Sequence, residues 1–406
     1  MIFKTLKKAT LTALLWSFIE RFSLQLSQFF FTIFLARVLS PSDFGLLAMI
    51  AIFITLSNSF IDSGFGHALI QKQNSDKLDE SSIFYFNIVL SSSFSCLLFL
   101  SAPLISKFYN VEELINIIRI LSLSLILNSL GLVQRTLLIK SLNFKTLFKV
   151  QIIATTSSGV IAIILALNNF GVYSLVFMTI SHDFINTLLL WIYSSWRPYL
   201  KFSFNSLKSM FSFGSKLFIV SLSNSFFTNI YNIIIGKLYT SEILGFYSKG
   251  YSFSRIPVNL ILNTANQVFF PVFSKLQNDK VELKNTLQIV SKNLMMVTFP
   301  AMIGFIMISE ELVIILLTEK WIQIVPYLQL LSISAIFHPL IGTNITAINS
   351  LGRSDLYLKV DIFNKILIII IIYFTYKYGI FGLIYGHILS VIISHFLYSY
   401  FINILL

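Results

Sequence analysis

Two arginines, Arg21 and Arg255, stand in the middle of otherwise apolar, membrane-length segments. Each belongs to a one-sided polar stripe: Ser17, Arg21, Gln25, Gln28 and Thr32 in the first, and Ser252, Arg255, Asn259, Asn263 and Asn266 in the second. Steps of three and four place each set on one face of a helix. Hydrocarbon cannot solvate such a face, and a central arginine costs roughly 2.5–3.5 kcal/mol there even on the mild insertion scale. The stripes are therefore expected to line a wet cavity inside a helix bundle, where a guanidinium contacts an anion. The competing reading of Arg21 is a structural ion pair with Glu20 or Asp62. Glu20 is adjacent in sequence and projects about 100° away, which leaves Arg21 available. Glu20 itself reads as a partner for another helix or as a titrating carboxylate in ion coupling.

Five further positions carry charge into apolar surroundings. Lys249 and Arg119 lie near the outer ends of their segments, where they either snorkel to the interface or reach a ligand. Asp62 sits at a helix end as a cap, a cation partner or a coupling carboxylate. His182 and Asp183 fall within the sixth apolar segment as a buried pair or a proton relay.

Other chemistry has no residues to carry it. There is no G-x-x-x-x-G-K-[ST] loop for ATP and no nucleophile elbow. The five histidines, 67, 182, 338, 387 and 395, have no metal-ligand spacing. We expect no catalytic residues, no metal, no cofactor and no enzyme activity.

The elements that must position the stripes are helices in lipid. The 406-residue chain is 56% hydrophobic and 11% charged, against about 25% charged in soluble domains. Its net charge of +12 reads as a positive-inside signature rather than a nucleic-acid surface. The sole cysteine, Cys96, falls in an apolar segment, so no disulfide framework is expected. Twelve spans are predicted near 10–36, 42–62, 82–103, 113–133, 147–167, 171–194, 210–236, 242–272, 290–309, 323–348, 361–377 and 380–404. The first follows Lys4, Lys7 and Lys8 but is too long for a signal-peptide core and has no A-x-A site, so it reads as a retained span. Loops on the N-terminal side hold 20 of the 29 Lys and Arg, and loops on the other side hold five. This split predicts a cytoplasmic N-terminus. Pro257, Pro271, Pro300 and Pro339 interrupt spans of the second half, which suits a lobe that bends.

The sequence also repeats. LARVLSPSDFGL (35–46) aligns with IGKLYTSEILGF (235–246), FKVQI (148–152) with LKVDI (358–362), and FGVYSLV (170–176) with YGIFGLI (378–384). The first stripe falls opposite Ser221, Ser225, Thr228 and Asn232. With Asn224, the last two join the expected cavity lining. The predicted fold is all-α: two six-helix lobes, residues 1–200 and 201–406, related by a same-orientation repeat around a central cavity. Ser40-Pro41-Ser42-Asp43 reads as a helix start: an N-cap, a first-turn proline and an acid at the positive helix end.

The two six-span halves, the basic side, LARVLSPSDFGLLAM after the first span and KLYTSEILGFYSKGYSFSRIPVN after the seventh together resemble the polysaccharide transporters. These are the Wzx-type oligosaccharide-lipid flippases of the multidrug/oligosaccharidyl-lipid/polysaccharide (MOP) exporter superfamily, and the likeness is to the colanic-acid and teichuronic-acid branch. Relatives run to fourteen spans, so this chain is expected to stop within or just after the twelfth. The resemblance implies translocation of undecaprenyl-diphosphate-linked oligosaccharide to the outer leaflet of a bacterial cytoplasmic membrane by alternating access, for surface polysaccharide or lipopolysaccharide biosynthesis. It assigns Arg21 and Arg255, with Lys249 and Arg119, to the diphosphate, and the stripe amides and hydroxyls to the glycan or to cavity water. A polysaccharide polymerase and other glycan-assembly proteins are the implied partners, with no nucleic acid. The alternatives are a peptidoglycan lipid-precursor flippase, a multidrug exporter of the same superfamily, or a membrane-embedded glycan polymerase or ligase.

Overall fold

In hydrocarbon every backbone N–H and C=O must be satisfied within its own segment, which leaves helices as the way to cross for segments of this apolarity. The computed structural model is helical accordingly. It describes residues 2–62, 64–72 and 75–406, with the side chains of residues 2–15, 17–18, 20–21, 209, 212–214, 216–217 and 260–268 outside the description. The helices are α1 (Ile2–Val38), α2 (Pro41–Asp62), α3 (Phe65–Gln71), α4 (Lys77–Tyr109), α5 (Leu114–Lys140), α6 (Phe144–Leu167), α7 (Val172–Tyr193), α8 (Phe204–Leu238), α9 (Ser241–Lys275), α10 (Lys280–Met307), α11 (Ser309–Leu317), α12 (Val325–Ala335), α13 (His338–Ser350), α14 (Ser354–Thr375) and α15 (Gly379–Leu405).

Twelve rods coincide with the twelve predicted spans, with α12 and α13 together forming the tenth. Among the described residues, nine helical stretches are long and apolar enough to cross a membrane, and one of them, Ser354–Leu405, contains both α14 and α15. The 35 residues of α8 and of α9 span about 52 Å each at 1.5 Å per residue, well beyond a ~30 Å hydrocarbon core. These helices tilt or extend past the lipid.

Polarity is distributed inside out. Ser91, Ser129 and Asn87 are fully buried, whereas Leu100 and Leu104 are about 70% exposed. Small polar residues make the helix contacts, as expected where lipid is as apolar as leucine. The Ser91 and Ser129 hydroxyls meet at 2.8 Å between α4 and α5, and Gln151 donates to Asn186 at 3.2 Å between α6 and α7.

The chain packs as two compact units, Met1–Leu244 and Gly245–Leu406. In the first, α6 lies against α1 and α7, α5 against α4 and α7, and α2 against α8, α5 and α4. Phe31 fixes α1 on α6: a Cβ at Gly159 would fall 2.5 Å from its ring. In the second unit, α15 packs on α12, α13 and α14, while α10 packs on α12 and α13. Val258, Met302, Ala335 and Ile336 form one of its buried apolar clusters. The repeat places a lobe boundary at 200. Compact packing groups α8 with the first unit, where it is held against α2.

The helix starts follow local chemistry. Ser40 N–H and Oγ donate to Asp43 Oδ2 at 2.8 and 2.7 Å, and Asp43 N–H donates back to Ser40 Oγ at 3.3 Å, a reciprocal cap where the sequence reads as an N-cap followed by an acid at the helix start. Asp76 and Asp79 do the same for α4. Two features were not anticipated: α11 with the 3-10 turn Glu319–Ile324, and the break that separates α2 from α3.

Candidate functional site

The break after α2 shapes the site. Gly64 takes φ +70°, a left-handed conformation that suits glycine. The Asp62 carboxylate accepts the Gly66 backbone N–H and lies within electrostatic range of His67 and Arg135. This hydrogen bond ties Asp62 to the first turn of α3. The corner is pinned from outside: Lys72 pairs with Asp79 at 2.5 Å, and Lys140 Nζ donates to Lys72 O and to Ser75 Oγ, both at 2.6 Å.

Between this corner and α8 lies a cavity of about 460 Å³. Thr55, Ser59, Asp62, Gly64 and His67 line one wall, and Val220, Ser221, Asn224, Ser225, Thr228 and Asn229 line the other. All belong to the first unit. The walls are joined by neutral hydrogen bonds. Ser59 and Ser225 hydroxyls meet at 2.9 Å, Ser221 Oγ donates to Ser59 Oγ at 3.4 Å, and Asn229 Nδ2 donates to Thr55 Oγ1 at 3.3 Å and to Ser225 O at 2.9 Å. Thr55 Oγ1 also donates to Ala51 O at 2.8 Å. Hydroxyls and amides that donate and accept in turn, set in a cleft within a membrane bundle, match the hydrogen-bonding pattern of sugar hydroxyls. Among the described lining residues no lysine or arginine appears, and Asp62 is the sole carboxylate.

Of the residues singled out in the sequence, this cleft gathers Asn224, Thr228 and Asp62. Asn232 lies one turn beyond on α8, half-buried. Gln25 and Thr32 are half-buried on α1, and Gln28 is exposed. The side chains of Ser17, Glu20, Arg21, Asn263 and Asn266 lie outside the described residues. His182 Nδ1 and Asp183 Oδ1 stand 3.2 Å apart on α7, a local pair. Arg119 stacks over Phe99 with 4.9 Å between guanidinium and ring centroid, a packing contact between α5 and α4. Arg255, Lys249 and Asn259 are half-buried on α9 in the second unit, where Ser252 is exposed. Thr55, Ser59, His67, Ser221, Ser225 and Asn229 were not among the expected lining. A second cavity of about 760 Å³ lies at the α4–α5 turn, bordered by Lys107, Asn110, Glu112, Glu113 and Asn116.

The architecture is that of a helical membrane bundle with a polar cleft in its first unit. It is similar to the lipid II flippase MurJ in an inward closed conformation (TM-score 0.77, 17% identity, covering 96% of this chain and 87% of MurJ). It is also similar to an inward-facing multidrug resistance transporter of the MATE family (TM-score 0.73, 13% identity, covering 94% and 95%). The chain belongs to the polysaccharide biosynthesis protein family, which it matches over residues 34–326. Relatives include the teichuronic acid biosynthesis protein TuaB of Bacillus subtilis (31% identity over 299 residues; 73% of this chain, 62% of TuaB). The lipopolysaccharide biosynthesis protein WzxC of Escherichia coli shares 25% over 337 residues (82% and 68%). The succinoglycan biosynthesis transport protein ExoT of Rhizobium meliloti shares 25% over 300 residues (74% and 61%). The chain thus spans a little over three fifths of the length of TuaB and of ExoT.

Proposed function

We propose that this protein moves an undecaprenyl-diphosphate-linked oligosaccharide from the cytoplasmic to the outer leaflet of a bacterial cytoplasmic membrane, without chemical conversion. The supporting observation is the cleft between α2 and α8: neutral hydrogen-bonding groups inside a bilayer-length bundle. A glycan crossing lipid must exchange its water hydrogen bonds for others, since each unsatisfied polar group costs several kcal/mol in hydrocarbon. The cleft supplies such exchange partners. The names of TuaB, WzxC and ExoT, all proteins of polysaccharide biosynthesis, support the same substrate class.

In this reading Arg21 and Arg255 carry the diphosphate, with Lys249 and Arg119 as auxiliary cations. Ser17, Gln25, Gln28, Thr32, Asn224, Thr228, Asn232, Ser252, Asn259, Asn263 and Asn266 face glycan or water. The polyprenyl tail stays in lipid while lobes built from residues 1–200 and 201–406 alternate access. Glu20, Asp62, His182 and Asp183 are the coupling candidates. The N-terminus is cytoplasmic, and the exported unit passes to a polysaccharide polymerase.

The deciding experiment is complementation of a flippase-deficient host, with surface glycan and lipid-linked intermediates both measured. Transport predicts restored glycan and a depleted cytoplasmic-leaflet pool. Absence of both, with normal membrane levels of the protein, contradicts it. A cation exporter is the second reading, favoured by the MATE-like fold and by Asp62 in the cleft. It predicts drug resistance without glycan rescue.

A further inference from the structure

The second unit holds a cluster of a different character. Helix α9 contributes Arg255, α13 contributes His338 as its first residue, and α15 contributes His387. The Arg255 guanidinium lies 5.6 Å from the Tyr251 ring centroid, and the Tyr251 ring meets His387 edge-on at 5.8 Å. Both imidazoles lie within electrostatic range of Arg255. Arg255 Nη1 and His338 Nε2 are buried and have no hydrogen-bond partner. Among the described residues the carboxylates in ion pairs are Asp79, Asp183, Asp355 and Asp361, and none of them pairs with Arg255. Pro339 cannot donate to the carbonyl one turn back, and the tenth span breaks between α12 and α13 at this point, next to His338.

A guanidinium stays charged at any physiological pH, and a charge left without a counter-ion within a span is expensive. The ring face of Tyr251 offsets part of that cost but leaves Nη1 without an acceptor. The planar N–H fork fits a phosphoryl oxyanion. The imidazoles add a second property. A proton on His338 or His387 is opposed first by burial and then by Arg255, and a bound oxyanion offsets the second of these. Binding and protonation then favour each other, and the coupling is reciprocal.

We infer that Arg255, His338 and His387 form a phosphoryl-anion site whose occupation takes up a proton. The inference deepens the transport reading and rests on it, because the diphosphate headgroup is the phosphoryl group that a lipid-linked substrate would bring. The other titratable groups nearby are few. On α9 they are Lys249, Tyr251 and Tyr247, whose ring stacks on Tyr251 at 6.3 Å. On α15, His395 stacks against Phe337 at 5.8 Å. On α12, Tyr327 stacks on Phe381. On α14, Asp361 is bound to Lys365 at 2.6 Å. The charged groups of α10, from Lys280 to Lys292, lie in its first half.

The test uses the full chain in lipid nanodiscs with two probes, inorganic pyrophosphate and a short-chain polyprenyl diphosphate. Affinity is measured between about pH 5 and 8, where imidazoles titrate, together with proton uptake reported by a dye in weak buffer. One coupled proton gives affinity rising by up to about tenfold per unit fall in pH. Binding of both probes marks a site for the free anion as well. Binding of the polyprenyl probe alone marks a headgroup site. Either supports the inference. The H338N/H387N double substitution is expected to flatten the slope, R255A to abolish binding, and R255K to weaken it. His338→Gln alone reads the slope if the double variant does not fold. Absence of binding at every pH, or an unchanged slope in folded histidine variants, overturns the inference. Glycan export by the wild type alongside either of those results would leave the transport reading standing.

Discussion

Ser59 of α2 and Ser225 of α8 share a hydroxyl–hydroxyl hydrogen bond of 2.9 Å across the cleft, although 166 residues separate them. Ser221 joins the same point from one turn earlier. A neutral bond of this kind contributes only about 0.5–1.5 kcal/mol, so the cleft can exchange it for a ligand's hydroxyls at little cost.

Replacing Ser59 or Ser225 by Ala therefore has a small effect, with glycan export within about threefold of wild type, since roughly one modest hydrogen bond is lost. Leu at either position fills the cleft and buries the remaining hydroxyls without partners. Export then falls tenfold or more, as expected for a loss above about 1.4 kcal/mol. Quantified surface glycan, normalised to membrane protein, checks both.

Gly64 precedes α3 at φ +70°. Gly64→Ala costs about 1–2 kcal/mol in that left-handed conformation, and Gly64→Asn costs less, because asparagine tolerates it. Thermal unfolding of the purified protein should rank them Gly, Asn, Ala. Equal midpoints for all three would contradict the strained corner.

Phe31 sits where any side chain at Gly159 would lie. Gly159→Val should destabilise the first unit by about 1–3 kcal/mol through overpacking, with partial recovery when Phe31→Leu is added. Absence of coupling in that double-mutant cycle would mean that α1 does not depend on this contact.

Asp361 and Lys365 form a 2.6 Å ion pair one turn apart on α14, both largely buried. Asp361→Asn leaves the lysine's charge without its counter-ion and should cost about 3–5 kcal/mol, while the D361L/K365M pair should recover most of it. Chemical denaturation in detergent distinguishes the outcomes.

The spans were legible because apolar runs near twenty residues, punctuated by basic loops, leave few alternatives to membrane helices. The cap at Ser40 was legible because its partner Asp43 is three residues away. Asn224 and Thr228 stood out as amide and hydroxyl on a helical stripe. The opposite wall carried the same kind of signal, Thr55, Ser59 and Asp62 at steps of four and three, but without an arginine to flag it. Hydroxyls are also common within spans, where they bond back to their own helix, as Thr55 does to Ala51. Which stripes face each other depends on how α2 and α8 pack, and that contact joins segments more than 150 residues apart. The break at Gly64 was hidden because one glycine within an apolar run is a weak signal.

The central claim is that the cleft between α2 and α8 is water-filled and takes substrate. Cys96 is the only cysteine in the chain, so Cys96→Ser provides a clean background for Ser225→Cys in the cleft and Leu100→Cys on the exposed apolar face. In membranes, a water-soluble maleimide should label position 225 far faster than position 100, and lipid-linked oligosaccharide should slow that labelling. Equal, negligible labelling at both positions, with the protein folded and fully reactive once denatured, would contradict the account.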